Sequence, residues 1–308
     1  MYNGFINVLK PTGMTSNDIV GKLKYLTKKY TGEKVKFGHT GTLDPNAAGV
    51  MLVCVGRGTK FSQYVTEKKK TYVGIINLGA TTDTVDTYGS IEETKIPDLK
   101  SEEDIINVFN KYLGKTKQIP PKYSAIKING RKLYDLARQG EDIPEIKSRD
   151  IEIFDIKLLE YNHPQITFEV ECSAGTYIRS LAKDIGQDLG ELAHLGLLIR
   201  TKVDEFSIDD SYTLEQLENL MQEGIFNNSI IEIDKVLDKF PNLIIPDRAE
   251  KAYLNGLALA QDRINTKIKK DISNFKQKVY NENGQFLGIG TLSLDENQNF
   301  ILKSETQR

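Results

Sequence analysis

The sequence predicts an α+β fold, a mixed and largely antiparallel sheet with flanking helices, followed by a small β module. Two observations carry that prediction. Alternating apolar stretches are interleaved with helical-period stretches but without a regular βαβ rhythm, which disfavours a doubly wound parallel sheet. After Phe240-Pro241 the pattern changes to short apolar runs broken by Asn255-Gly256, Asn283-Gly284 and Asp295-Glu296-Asn297. A chain of 308 residues with 39% hydrophobic content suits one large domain plus a small one, with the boundary near residue 242.

The elements follow in order. Phe5–Leu9 reads as a strand closed by Lys10-Pro11-Thr12-Gly13, after which Thr15 or Ser16 caps a helix with Ile19, Leu23 and Leu26 on its inner face. Gly49–Val55 is a buried apolar run, and Thr71–Leu78 alternates as a strand does. Ser101-Glu102-Glu103-Asp104 has the form of a capping box for a helix buried through Ile105, Val108, Phe109 and Leu113. Gln118–Ile128 and Ile151–Leu159 read as strands, with a short helix between them that ends near Gly140. Ile166–Cys172 is a further strand, and Ile178, Leu181, Ile185 and Leu189 form the stripe of another helix. An acidic helical segment ends near Phe240-Pro241. Lys278-Val279-Tyr280, Phe286–Ile289 and Phe300–Leu302 supply short strands of the β module, and basic Lys267–Lys278 reads as a loop.

Composition excludes several classes. No apolar run approaches the ~20 residues of a membrane span, and the N-terminus lacks a signal pattern, so a cytoplasmic protein is expected. Cys54 and Cys172 are isolated, and His39, His163 and His194 are scattered, which argues for reduced buried thiols and against a zinc site. No cofactor and no metal are called for. The formal charge is −2, but it is segregated. Lys22, Lys24, Lys28, Lys29, Lys34 and Lys36 precede the 38–45 run, Lys68, Lys69 and Lys70 follow it, and a third basic stretch runs from Lys111 to Lys132. Such a stripe suits a polyanion, although an ordinary solvated lysine face has the same composition.

The candidate chemistry centres on Gly38-His39-Thr40-Gly41-Thr42-Leu43-Asp44-Pro45. Two glycines that permit positive φ and a proline that forces extended geometry on its neighbour hold an aspartate on a loop. Aspartate is ionised at neutral pH unaided, so Asp44 is a candidate nucleophile; an Asx turn is the bland reading. Arg179 offers a planar fork for a bidentate pair with Asp44, or is a surface arginine on a helix. Tyr72 and Leu198 read as core on residue type alone, Tyr177 is equally ambiguous, and His39 reads as a turn-ordering residue.

Five dispersed blocks resemble the TruB-type tRNA pseudouridine synthases, in family order. They are Gly4–Ser16, the run from Gly38 through Met51, and Lys70-Thr71-Tyr72 with Thr82-Asp83-Thr84-Val85-Asp86. Pro120–Arg131 resembles a PPxYSAxKxxGxR segment, and Cys172–Leu181 contains GTYIR. The resemblance covers most of the first 206 residues and extends loosely to a PUA-like RNA-binding module at 243–308. It implies a catalytic domain over 1–242 that isomerises a uridine in the T loop of tRNA, at position 55, to pseudouridine. Asp44, Tyr72 and Arg179 are then catalytic, and His39, Tyr72, Tyr177 and Leu198 contact substrate. The target base must be flipped out of the loop, at a cost of a few kcal/mol. Whether Asp44 bonds to C1′, bonds to C6 or removes the 2′ proton stays open. The resemblance implies tRNA, through its T stem and loop, as partner, with no membrane and no obligate protein partner. A guide-RNA-dependent relative and a non-catalytic tRNA-binding or folding protein are the alternatives. Asn46, Ala48, Leu52, Ala174, Ile199 and Asp204-Glu205-Phe206 depart from the family pattern.

Overall fold

The computed structural model describes residues 2–124, 126–128, 130–139, 145–264, 275–296 and 299–307. In chain order the first half is β1 (Gly4–Lys10), α1 (Ser16–Thr31), β2 (Phe37–His39), β3 (Ala48–Val55), α2 (Ser62–Thr66), β4 (Lys70–Leu78), β5 (Ala80–Thr82), β6 (Ile91–Thr94), α3 (Glu102–Lys111) and β7 (Gly114–Gln118). There follow β8 (Lys127–Ile128), β9 (Arg131–Lys132), α4 (Leu133–Arg138), β10 (Arg149–Asn162), β11 (Gln165–Cys172), α5 (Ile178–Asp188), β12 (Ala193–Val203), β13 (Phe206–Ser207), α6 (Leu214–Gln222) and α7 (Ile233–Val236). The C-terminal part is β14 (Asn242–Ile244), α8 (Asp247–Leu254), β15 (Leu259–Ala260), β16 (Phe275–Tyr280), β17 (Phe286–Leu294) and β18 (Phe300–Gln307).

The main sheet runs β1-β3-β12-β4-β11-β10-β7, with β2 and β13 as side branches. All of its pairs are antiparallel except β12 with β3, where Ile199 and Arg200 run parallel to Ala48 and Gly49. A separate five-stranded sheet, β14-β16-β17-β18-β15, forms the C-terminal module. This is the α+β, largely antiparallel architecture with a small β module that the sequence predicts.

β3 shows why the run at 49–55 is continuously apolar. Met51, Val53 and Val55 pack with α1 and α6, while Val50, Leu52 and Cys54 pack on the other face with Phe61, Tyr64 and Val65. A strand covered on both faces has no polar side to alternate with. A third core lies on one face of β4, β11 and β10, under α3 and α5, and it includes Tyr72, Phe168, Val170 and Ile153. Helix starts are set locally: Thr15 and Ser101 both close capping boxes, with Asp18 and Asp104 reaching back. Both cysteines are buried, and burial pushes their thiols up to about 12.

Four expectations need correcting. The strand expected at Gln118–Ile128 stops at Gln118, because Pro120 and Pro121 cannot donate to a ladder; pairing resumes only at Lys127–Ile128. Leu113 lies past the end of α3 and is 45% exposed. Of the Lys68-Lys69-Lys70 run, only Lys69 faces solvent. Lys68 is buried against Asp204, Glu205 and Asp238, and Lys70 donates to the carbonyls of Thr66 and Lys68. Finally, Lys276 and Lys278 lie in strand β16, while the rest of the basic loop, like Gly140, falls outside the described residues.

Candidate active site

Asp44 projects from a loop whose neighbours are buried on either side. Leu43 and Ala47 are each 3% exposed and sit in the core that holds Tyr72, whereas the Asp44 side chain is 41% exposed. Apolar anchors thus fix the loop and leave the carboxylate exposed to solvent. Polar braces finish the job. Ser16 Oγ accepts from Leu43 N at 2.9 Å and donates to Leu43 O at 3.1 Å, and Gly13 N donates to Pro45 O at 2.9 Å. Lys10, fully buried, donates from Nζ to the carbonyls of Pro11, Pro45 and Ala47 at 2.9, 3.1 and 2.6 Å. Burial lowers Lys10 to about 8, against which the charge of Asp44 works.

Arg179 meets Asp44 by one contact, Nε to Oδ2 at 2.9 Å. The expected bidentate fork is not formed, because the other two nitrogens are spent elsewhere. Nη1 donates to Thr84 O at 2.9 Å, and Nη2 donates to Tyr123 O at 2.8 Å. Asp86 Oδ2 stands 4.0 Å from Nη1. The guanidinium is therefore fixed in plane by backbone from two loops and presents its remaining edge to Asp44.

Tyr72 lies on β4 directly opposite Arg200 of β12 and is 8% exposed. Burial raises the phenol, with the charge of Arg200 and a hydrogen bond to it in opposition. Arg200 is itself buried, with Nε donating to Val50 O at 2.7 Å and Nη2 towards Gly41 O at 3.4 Å. The parallel β12–β3 crossing brings it there. Gly49 makes that crossing possible: its φ is +117°, and a Cβ on it would stand 2.1 Å from Arg200 O.

The remaining predicted residues ring this cluster. His39 ends β2, and its Nδ1 has no hydrogen-bond partner among the described residues; burial, then the charge of Arg200, lower its imidazole. Leu198 pairs with Gly74 and packs partly exposed on the core of Tyr72. Tyr177 is the N-cap of α5, clamped by Gln118: Tyr177 N donates to Oε1 at 2.8 Å and Nε2 donates to Tyr177 O at 3.0 Å. Asp44 and Arg179 touch, and Tyr72 joins them through the core beneath. Tyr177 lies two residues before Arg179, and its backbone bonds go to Gln118, not to Asp44. Sequence reasoning missed Lys10, Ser16, Asp86 and Arg200. A lysine closing an apolar strand and an arginine within the apolar run 193–200 were the available signals.

Such a site offers a partly exposed carboxylate, a fixed cation, a buried phenol and a partly buried apolar side chain in one neighbourhood. Among the described residues near Asp44 no set of side chains converges as metal ligands.

Comparison with known proteins adds the following. Residues 28–178 match the profile described as TruB family pseudouridylate synthase (N terminal domain), and residues 179–240 match that of the tRNA pseudouridylate synthase B C-terminal domain. A tRNA pseudouridine synthase B of Clostridium kluyveri is 43% identical over 288 residues, which cover 94% of this chain and 95% of that one. The protein of the same name from Bacillus subtilis is 42% identical, covering 94% of this chain and 93% of its own length. Among solved structures, a Cbf5-Nop10-Gar1 complex contains a chain with a TM-score of 0.74 and 26% identity, covering 99% of this chain and 84% of that chain. The C-terminal sheet lies beyond both profiles.

Proposed function

We infer the reaction from one premise, that the chain belongs to the TruB family of pseudouridylate synthases: it is an isomerase that converts uridine to pseudouridine in tRNA. We propose further that the target is the T-loop uridine at position 55, that Asp44, Tyr72 and Arg179 do the chemistry, and that His39, Tyr177 and Leu198 hold the loop. The observation that carries this is the 2.9 Å contact from Arg179 Nε to an Asp44 carboxylate left 41% exposed above Tyr72.

The reaction conserves atoms. The N1–C1′ bond breaks, the uracil turns, C5 bonds to C1′, and C5 loses its proton as N1 gains one. Asp44 acts on the sugar–base assembly while the glycosidic bond is open, and Arg179 keeps the carboxylate pointed at it. Burial raises the Tyr72 phenol, and in this reading its ring stacks on uracil while its hydroxyl lies beside the reacting base. Leu198 covers the other apolar surface that a flipped base needs. None of these steps draws on a cofactor.

Recognition rests on charge and loop shape. Lys22, Lys24, Lys28, Lys29, Lys34 and Lys36 are exposed on α1 and the segment that leads to β2, and Lys115, Lys117 and Lys122 are exposed on the other side of Arg179. These cations meet phosphates, while His39 senses the loop beside the chemistry. The higher identity to tRNA pseudouridine synthase B proteins than to the chain of the Cbf5-Nop10-Gar1 complex supports reading it as a stand-alone enzyme on tRNA, without an obligate protein partner. A cytoplasmic location follows, where the two buried thiols stay reduced.

The test is direct. The purified protein is incubated with an unmodified tRNA transcript and with a minimal T-arm hairpin, and pseudouridine is mapped by carbodiimide primer extension. Both RNAs should be modified at the same single uridine, and changing it to cytidine should abolish the signal. A hairpin that stays unmodified at saturation while whole tRNA reacts would refute recognition through the T arm.

A further inference from the structure

Arg149 opens β10 and points to the same sheet face as Ile151 and Ile153, both in the core beneath the site. It stands across the ladder from Gln118, the residue that clamps Tyr177. Its guanidinium carbon lies 5.7 Å from the centre of the Tyr177 ring. Its Nη1 comes within 3.4 Å of where a Cβ on Gly175 would be, at a φ of +85° that already excludes most side chains. A Cβ there would only touch the guanidinium, so Gly175 is required by its backbone and the guanidinium lies in close contact with the loop.

Among the described residues no carboxylate, carbonyl or hydroxyl accepts from Arg149. That is unusual for a half-buried arginine, since its five donors are costly to leave unmatched. The contrast with Arg179 is direct, for every nitrogen of that guanidinium has an acceptor. The loop Ser173-Ala174-Gly175-Thr176-Tyr177 itself carries no positive charge. A guanidinium within cation–π range of a tyrosine face keeps its N–H donors free, and those donors can grip a phosphate with two parallel hydrogen bonds.

We propose that Arg149, over the Tyr177 ring and against Gly175, binds a backbone phosphate flanking the flipped uridine and so positions the RNA strand for Asp44. The inference rests on the reading of this site as a tRNA uridine isomerase. A phosphate contact fixes strand register without reading sequence, which complements the base contacts beneath it. Arg149 acts on binding, so its loss should appear in KM and not in kcat.

The experiment uses the full-length protein and T-arm hairpins in which one phosphate, 5′ or 3′ of the target uridine, is replaced by a neutral methylphosphonate. Initial rates are measured for the wild type and for Arg149→Gln. The wild type should lose about tenfold in KM on one of the two substituted hairpins, the size expected for one charge-assisted hydrogen-bonded contact. Arg149→Gln should lose about tenfold on the unsubstituted hairpin, with kcat within twofold, and should lose almost nothing more on the substituted one. Its KM should also depend less steeply on salt, by about 0.7 in the log–log slope. Indifference of the wild type to both substitutions would overturn the proposal, whatever the variant's folding. So would losses that multiply, because they place the phosphate contact on another residue. A wild type that makes no pseudouridine in the unsubstituted hairpin would instead refute the function on which the proposal stands.

Discussion

The loop that carries Asp44 and the junction that carries the C-terminal sheet are held by different forces. Around Asp44 the fixed contacts are polar and end on backbone: Lys10 and Ser16 brace the loop, and Thr84 and Tyr123 fix Arg179. At the junction the contacts are apolar. Ile289 of β17 enters the core formed by Phe5, Phe61, Tyr64 and Val65, and partly buried Phe286 packs against it, 5.7 Å from Phe61 between ring centres. Tyr64 adds hydrogen bonds to Thr306 and Glu305. Directional bonds set the geometry of a few atoms, whereas area burial sets free energy with little regard to angle. Damage to the first region should therefore cost rate, and damage to the second should cost stability.

The largest effect expected is on rate. Asp44→Asn keeps the shape of the loop and removes the carboxylate, so turnover should become undetectable while tRNA affinity changes by less than about tenfold. Equilibrium binding and single-turnover assays on the same preparation separate the two. Residual pseudouridine formation near the wild-type rate would remove Asp44 from the mechanism, and an equal loss in binding would mean that the loop is structural.

The junction gives the complementary case. Ile289→Ala should destabilise the protein by about 2–5 kcal/mol, the usual range for truncating a fully buried isoleucine. Its kcat at 25 °C should stay within about twofold of wild type. For the same reason, truncation after Phe240 strips the cover from Phe61, Tyr64 and Val65, which are all buried in the full chain. The truncated protein should melt far lower and associate through that exposed face, as read by calorimetry and light scattering. A truncation as stable as the whole chain would show that the shared core contributes no stability.

This difference in forces also decides what could be read from sequence. Asp44 was legible because glycine and proline leave marks of their own, and the helices of Ile19 and Ile178 were legible from spacing. Lys10 and Arg200 were not, because their partners are carbonyls, which every residue carries alike. Lys68 and Lys70 were misread as part of a basic stripe, since the carboxylates that bury Lys68 lie some 136 to 170 positions away and Lys70 is held by carbonyls, which leave no mark in sequence. The short strands of the C-terminal sheet were visible, but the insertion of Ile289 into a core built around Phe5 was not. Contacts between distant segments have no local signature.

Lys10 supplies the smallest effect and the sharpest separation of rate from stability. Its folded value is about 8 and its ordinary value 10.5, so below pH 8 both folded and unfolded chains carry the proton. Between about 8 and 10.5 the unfolded chain binds a proton that the folded chain has released, and the free energy of unfolding must rise with pH across that window. Turnover should move the other way. A neutral amine has two hydrogens for the carbonyls of Pro11, Pro45 and Ala47, so one of the three loses its donor and the Asp44 loop loosens. Lys70, also lowered to about 8, adds a stability slope of the same sign but lies away from the loop. Comparing wild type with Lys10→Met isolates the first lysine: the variant should gain less stability between pH 8 and 10, by about 1–2 kcal/mol in urea titrations. It should also start from a lower kcat and lack the alkaline decline. If the variant keeps that decline, the group that titrates is not Lys10, and the loop is held without it.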